Sequence, residues 1–176
     1  MGKQQGKTLE GDVRVDYNNA YAFPFTGHEP FNDDFKERQM QKVLHIDANK
    51  CTGCLQCEMA CSYENYGVFA PAKSRIKVFD FHETGKKVPS TCTQCDEAWC
   101  LHACPVEAIT KNKVTGAMEV NESTCVGCKV CTIACPFGTI NYNTSTGKVV
   151  KCDLCGGDPE CVDACPTQAI TYVDAN

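Results

Sequence analysis

Sixteen cysteines are the residues of this 176-residue chain whose type and spacing could do chemistry. They fall into four groups of four, and each group ends in two cysteines separated by three residues. The first and third groups have the spacing C-x2-C-x2-C-x3-C, whereas the middle gap is four residues in the second group and five in the fourth. The groups are Cys51, Cys54, Cys57 and Cys61; Cys92, Cys95, Cys100 and Cys104; Cys125, Cys128, Cys131 and Cys135; and Cys152, Cys155, Cys161 and Cys165.

This spacing is typical of cubane iron–sulfur clusters. Gaps of two residues let one loop present three thiolates to a cluster, and the fourth cysteine reaches the neighbouring cluster in two-cluster ferredoxins. Pro105, Pro136 and Pro166 follow the last cysteine in three groups, where proline redirects the chain because it fixes φ and lacks an N–H. Four complete quartets therefore predict four [4Fe–4S] clusters, with all sixteen cysteines as iron ligands.

Other cysteine chemistries fit less of the pattern. Structural zinc uses C-x2-C pairs in separated twos, often with histidine, and a triplet crowds three ligands into one tetrahedral site. A disulfide framework needs an oxidising compartment, but no apolar stretch follows the two lysines of residues 1–7, as a secretory signal requires. A thioredoxin-like C-x-x-C explains only one pair. A [3Fe–4S] variant or an incomplete site stays open, although no quartet lacks a member.

The charge of the chain limits its partners. The formal charge is −5, from 17 basic and 22 acidic residues, and four clusters with their thiolates bring it to roughly −13. Nucleic acid and anionic membrane surfaces are therefore disfavoured partners. No run approaches the roughly 18 apolar residues of a membrane span. We expect a cytoplasmic protein, with export on a partner's signal as the alternative.

The elements that must position the cysteines are short. Strand-like stretches lie at 43–46, 117–120 and 169–173, and residues 75–81 begin with the alternation of a half-buried strand. Residues 83–86 look like a turn. A repeat P-x-x-A/T-I follows the last cysteine of groups two, three and four. The pattern predicts small β elements and short helices around metal sites.

The first 42 residues differ from the rest. They contain no cysteine but six aromatic residues, and Pro24 and Pro30 interrupt any long helix or central strand. Such a segment is too aromatic for a typical disordered tail and too irregular for a separate domain. Residues 1–42 are therefore predicted to be an extended arm that binds a partner or a neighbouring copy of the complex.

Residues 43–173 resemble the four-cluster iron–sulfur subunits of molybdenum- and tungsten-pterin oxidoreductases and the related electron-transfer subunits of hydrogenases and formate dehydrogenases. The absence of proline after the first group, where Ser62 stands, is also usual in that family. The stretches that carry the resemblance are 51–61, 92–95, 125–138 and 151–155.

The resemblance implies an α+β fold of two interleaved bacterial-ferredoxin-like modules related by a pseudo-twofold axis. The first module would comprise residues 43–86 and 141–176, and the second, inserted module residues 87–140. Each cluster would then take three cysteines from one group and the fourth from another. The implied ligand sets are Cys51, Cys54, Cys57 with Cys165; Cys152, Cys155, Cys161 with Cys61; Cys92, Cys95, Cys100 with Cys135; and Cys125, Cys128, Cys131 with Cys104.

The resemblance also implies a function: a non-catalytic subunit that relays electrons between a larger catalytic subunit and an external acceptor, such as a flavin or NAD subunit or a ferredoxin. The nearest likeness is to the small subunit of tungsten-dependent aldehyde oxidoreductases, with hydrogenase, formate dehydrogenase and aromatic-ring reductase complexes as alternatives. No nucleophile–base pair, paired carboxylates or phosphate loop stands out. A free polyferredoxin is the rival hypothesis, and the aromatic arm argues against it.

Several residues near the cysteines have two interpretations each. Lys129 and Lys151 could stabilise a reduced cluster or could simply be solvated. Trp99 and Tyr63 could relay electrons, but shielding clusters from water is the favoured role. His102 could donate a hydrogen bond to a cluster sulfur, and an ordinary surface position is favoured for it.

Overall fold

The structure is a computed structural model, and it describes residues 41–175. The predicted arm, residues 1–42, therefore lies outside the described residues except for its last two positions. Between residues 41 and 175 the chain forms eight short strands, four α-helices and two short 3-10 helices, at Pro71–Lys73 and Leu154–Gly157. The strands are β1 (Lys42–Ile46), β2 (Lys77–Phe81), β3 (Lys86–Ser90), β4 (Ile109–Lys111), β5 (Met118–Val120), β6 (Asn141–Asn143), β7 (Lys148–Val150) and β8 (Ile170–Asp174). The helices are α1 (Gln56–Tyr66), α2 (Trp99–His102), α3 (Val130–Ala134) and α4 (Glu160–Asp163).

The strands form four separate antiparallel pairs. Three of them, β2–β3, β4–β5 and β6–β7, join strands that are neighbours in sequence. The fourth joins β1 to β8, with Lys42 opposite Asp174 and Ile46 opposite Ile170. The strands predicted near 43–46, 75–81, 117–120 and 169–173 are confirmed. Strands β3, β4, β6 and β7 were not predicted, because short stretches such as KKVPS in β3 and NYN in β6 lack a run or alternation of apolar residues.

A proline after the last cysteine of a group limits the length of the helix that follows the cysteine loop. Helix α1 runs past Cys61 to Tyr66, since Ser62 leaves the helical hydrogen bonds intact, and it ends at Gly67 with φ 66°. In the third group Pro136 follows Cys135, and α3 stops at Ala134. The residue before a proline is disfavoured in the helical region, and Cys135 is extended, with ψ 112°.

A buried carboxylate fixes α1 against the first hairpin. Glu58 lies in the first turn of α1 and is only 6% exposed. Its Oε1 accepts a hydrogen bond of 2.6 Å from the backbone N–H of Val78 in β2. A buried carboxylate needs such a donor to offset its desolvation. The bond therefore ties the loop that carries the first three cysteines to strand β2.

The buried core is small and is built around the cysteines. One buried cluster contains Ile76 and Ile170 together with Cys57, Cys61 and Cys161. A second buried cluster has Ile109, Met118 and Val149 beside cysteines of the second and third groups. Helix α1 packs on α4, and α2 packs on α3. The first cysteine group therefore lies beside the fourth, and the second lies beside the third.

The helices within residues 41–175 are short. The longest of them, α1, has 11 residues. None of the helices in this part of the chain combines the length and the apolar character that crossing a bilayer requires.

Candidate metal centres

Four cavities are each lined by four cysteines, three from one group and the last cysteine of another. We name them cavities A to D. All sixteen predicted ligands take part, and the four sets are the ones that the resemblance implies as ligand sets. Cavity A is lined by Cys51, Cys54, Cys57 and Cys165; cavity B by Cys61, Cys152, Cys155 and Cys161; cavity C by Cys92, Cys95, Cys100 and Cys135; and cavity D by Cys104, Cys125, Cys128 and Cys131.

The donors of the cavities fit a cluster. Each cavity has four cysteines in its lining, three from one loop and one from another. Thiolates are the ligands that iron–sulfur clusters use, and two-cluster ferredoxins draw them from two loops in the same way. The donor sets therefore fit four groups of one kind.

Backbone N–H groups point at the last cysteine of three groups. These cysteines are the ones that reach across to another group's cavity. An N–H···S hydrogen bond stabilises negative charge on the sulfur, so these loops are shaped to hold a thiolate. The bonds run from Arg75 N to Cys61 Sγ at 3.3 Å, from Ala108 N to Cys104 Sγ at 3.2 Å, and from Ala169 N to Cys165 Sγ at 3.2 Å.

Burial acts in the opposite direction on the cysteines inside the cavities. Desolvation raises the pKa of these thiols, and the charges of neighbouring cysteines raise it further. In the metal-free chain such thiols keep their protons at neutral pH, and binding iron must displace them. The pKa is raised to about 12 for Cys57, about 11 for Cys131, about 11 for Cys152 and about 12 for Cys155.

In two of the cysteines that complete another group's cavity, the effects on the pKa have the opposite net result. Burial alone would raise the pKa of Cys135 and Cys165, but hydrogen bonds from backbone N–H groups and from Thr139 and Thr167 outweigh it. The Thr139 hydroxyl lies 3.6 Å from Cys135 Sγ, and the Thr167 hydroxyl lies 3.8 Å from Cys165 Sγ. The pKa of both thiols is therefore lowered. These loops favour the thiolate before any metal arrives.

The cavities lie in the order A, B, C, D. Cys57 of cavity A and Cys161 of cavity B belong to one buried cluster. Cys152 of cavity B and Cys92 of cavity C belong to another. Cys100 of cavity C and Cys131 of cavity D belong to a third. Each cavity therefore adjoins the next through buried cysteines.

The two ends of this row reach the surface. Of the sixteen cysteines only Cys54 and Cys128 are exposed. Cys54 lines cavity A and Cys128 lines cavity D, whereas the cysteines of cavities B and C are all buried or half-buried. Each outer cavity therefore has one exposed cysteine.

Gln94 joins the two halves of the row, and sequence reasoning missed it. Its side chain is 2% exposed. The amide nitrogen donates to the carbonyl of Cys152 at 2.8 Å, and the amide oxygen accepts from Met118 N at 2.8 Å. In the sequence Gln94 is only a spacer inside a C-x2-C motif, and nothing in the pattern marks it as buried.

The other residues singled out in the sequence lie in different surroundings. Lys151 is buried, at 3% exposure, in the wall of cavity C. Lys129 is exposed beside cavity D, with its Nζ 3.8 Å from the centre of the Tyr142 ring. Trp99 lines cavity C yet remains 67% exposed. The His102 side chain is 67% exposed near Glu97, which agrees with the surface interpretation.

Comparison with known proteins places the chain in a family. The sequence profile of a 4Fe–4S dicluster domain matches residues 84–175, and that of a 4Fe–4S binding domain matches residues 43–69. The polyferredoxin-like subunit of aliphatic sulfonate oxidoreductase from Pyrococcus furiosus is 45% identical over 130 residues, covering 74% of this chain and 75% of that protein. Formate hydrogenlyase subunit 2 of Escherichia coli K12 is 34% identical over 174 residues, covering 77% of this chain and 83% of that protein.

A weaker likeness is found among solved structures. The active-site complex BamBC of benzoyl coenzyme A reductase as isolated shares 28% identity, covers 76% of this chain and 77% of the matched one, and gives a TM-score of 0.46. A likeness this weak establishes no shared arrangement.

The chain belongs to the 4Fe–4S dicluster-domain family. Its domains are of the 4Fe–4S ferredoxin type, and the prediction of [4Fe–4S] clusters as its cofactor is confirmed. The number of four clusters, the ligand sets and the twofold arrangement of modules stay predictions.

Proposed function

We propose that this protein is the electron-transfer subunit of an oxidoreductase complex and holds one [4Fe–4S] cluster in each of cavities A to D. The observation that carries the proposal is the row of four cavities, each lined by four cysteines. The relatives named as a polyferredoxin-like subunit and as a formate hydrogenlyase subunit support a role within larger complexes.

The residues of the chain would perform three tasks in such a relay. The cysteines hold the clusters, each of which takes up and releases single electrons when bound. Cys57 packs in one buried core with Cys161, and Cys92 packs in another with Cys152, and this packing keeps neighbouring cavities close. Apolar walls, such as Ile140 and Met118 in cavity C, exclude water. Electrons would enter and leave at cavities A and D, where Cys54 and Cys128 are exposed.

The repeated packing supports two interleaved ferredoxin-like modules. Strand β1 precedes the first group and pairs with β8 after the fourth, as β5 before the third group pairs with β4 after the second. Helix α1 packs on α4 as α3 packs on α2. We propose residues 43–86 and 141–176 as the first module and residues 87–140 as the inserted one.

The catalytic partner that we propose is a larger subunit with a tungsten or molybdenum pterin, oxidising an aldehyde. A hydrogenase or formate dehydrogenase is the alternative partner, and the likeness to formate hydrogenlyase subunit 2 supports this alternative. A flavin or NAD subunit or a ferredoxin would take the electrons at the other end. This chain would be non-catalytic and cytoplasmic.

Elemental analysis of the protein, purified without oxygen together with whatever stays bound, tests the proposal. Four filled cavities require about 16 iron atoms per copy of this chain, beyond those of any partner. Stoichiometric tungsten would support an aldehyde-oxidising partner, and molybdenum would favour a formate dehydrogenase. About eight iron atoms or fewer at full occupancy of the partner's cofactor would contradict four clusters.

A free polyferredoxin is the second candidate function. The acidic composition, with a formal charge of −5, suits transient docking to many partners. The same preparation separates the two functions, because a free carrier would contain the iron but no co-purifying large subunit and no pterin metal.

A further inference from the structure

A buried lysine lies in the middle of the row of cavities. Lys151 directly precedes Cys152 of cavity B, yet its side chain lies in the wall of cavity C. The residue is only 3% exposed. Its Nζ donates a hydrogen bond of 2.8 Å to the carbonyl of Met118, which lines the same cavity.

The charge of this ammonium is not cancelled by an ion pair. Glu119, Glu122 and Asp153 line a polar recess that Lys151 also borders. Asp153 is already paired with Arg75, at 2.6 Å. None of the carboxylates in residues 41–175 forms an ion pair with Lys151. A positive charge therefore remains inside the protein, next to the thiols of cavity C.

The position of this charge lets it act on cavity C. Lys151 and Cys100 line the same cavity. Opposite charges attract, so the ammonium stabilises negative charge placed in that cavity. Because Lys151 is buried, water and salt screen this attraction far less than at the surface.

Lys129 offers a natural comparison within the same chain. It also lines a cavity, D, but its side chain is exposed and lies over the ring of Tyr142. A charge in that position is screened by solvent and ions. Two lysines beside two cavities of the same kind thus differ in burial and in partner, which is the Met118 carbonyl for Lys151 and the Tyr142 ring for Lys129.

We propose that Lys151 makes the cluster of cavity C easier to reduce, and so raises its reduction potential above that of the same site with a neutral residue. The inference rests on the proposed function. The step concerned is the uptake of one electron from the adjoining redox group of the row, with no bond made or broken. A nearby buried cation stabilises added negative charge, so Lys151 stabilises the reduced state of the cluster more than the oxidised state.

The test uses the purified complex and three substitutions at Lys151. Lys151→Gln removes the charge but keeps a donor for the Met118 carbonyl, Lys151→Met removes both, and Lys151→Arg keeps the charge. Lys129→Gln is the matched control at the exposed site. Iron content is measured first, and the midpoint potential of each cluster is then followed by EPR during a redox titration at low and high salt.

We expect Lys151→Gln and Lys151→Met to shift one of the four potentials to a more negative value at both salt concentrations, while Lys151→Arg leaves it near the original. Lys129→Gln should give a smaller shift that disappears at high salt. Four filled clusters with unchanged potentials in Lys151→Gln would overturn the inference and leave the proposed function intact. Loss of iron from both neutral variants but not from Lys151→Arg would also overturn it, because the charge would then serve assembly. A wild-type complex without iron would refute the proposed function itself.

Discussion

At the scale of single residues, the last cysteine of each group has a different task from the first three. It leaves the loop of its own group and completes the cavity of another. For Cys61, Cys104 and Cys165 a backbone N–H supports the sulfur in that position. A substitution at such a cysteine should therefore damage a cavity whose other ligands are far away in the sequence.

Cys61→Ser tests this division of tasks. We expect the cluster held with Cys152, Cys155 and Cys161 to be lost or altered, so that iron falls from about 16 to about 12 atoms per chain. The EPR signals of the remaining clusters should persist. Cys165→Ser is the matched control, because it should affect the cluster of Cys51, Cys54 and Cys57 instead. Damage to that first-group cluster alone in Cys61→Ser would contradict the assignment.

The sequence predicts which residues carry the chemistry far better than it predicts their surroundings. Cysteine spacing alone identifies all sixteen cysteines that line the cavities, because loop geometry around a cluster depends on short local gaps. The burial of Gln94 and Lys151 could not be predicted. Both depend on contacts with residues 24 to 58 positions away, such as the bonds of Gln94 to Met118 and Cys152.

At the scale of elements, the cysteine loops are held by residues with positive φ. Leu55 and Lys129 precede helices α1 and α3 with nearly equal angles, φ 62° and ψ 9° against φ 64° and ψ 7°. Gly53 and Gly127 occupy matching places two residues earlier, at φ 73° and φ 70°. The two loops therefore share one backbone shape but meet different neighbours.

Alanine at the two glycines should separate backbone strain from steric conflict. At Gly53 an added Cβ would lie 3.0 Å from the flexible side chain of Lys87. At Gly127 it would lie 2.1 Å from the carbonyl oxygen of Gly147, in the backbone of the β6–β7 turn. Gly53→Ala should lower the free energy of unfolding by about 1–2 kcal/mol, the cost of the left-handed conformation. Gly127→Ala should lower it further and release the iron of cavity D.

Thermal loss of the visible absorbance of the clusters, with iron analysis after gentle warming, measures both effects. Equal melting temperatures for the two variants would show that the turn at Gly147 moves aside freely.

The sequence predicts the strands less well than it predicts the cysteine loops. Hairpins such as β6–β7 have three residues on each side, and such short strands are formed by packing around the cysteines more than by their own propensity.

At the scale of the whole molecule, cavities B and C lie between the outer cavities A and D, which carry the exposed cysteines Cys54 and Cys128. This arrangement suits a subunit placed between two partners. Every cysteine lies within the described residues 41–175, so the cavities are complete without the predicted arm. We propose that the arm serves assembly with a catalytic subunit or with a neighbouring copy of the complex.

Removal of residues 1–40 tests that role. We expect the iron content per chain to stay unchanged, since no ligand is removed, and the complex to elute later on size-exclusion chromatography because a partner is lost. The full-length chain, prepared in the same way, is the control. A shortened chain that elutes with the complete set of partners would exclude the arm as an assembly element.

The pairing of β1 with β8 also has a consequence for biosynthesis. Cavities C and D have all their cysteines once residue 135 has left the ribosome, whereas cavities A and B must wait for Cys165 and Cys161. Cys57 and Cys165 are 108 residues apart, against 35 for Cys100 and Cys135, and closing the longer loop costs about 1 kcal/mol more. Cavities C and D are thus the first to have a complete set of cysteines during synthesis, before β8 is available to pair with β1.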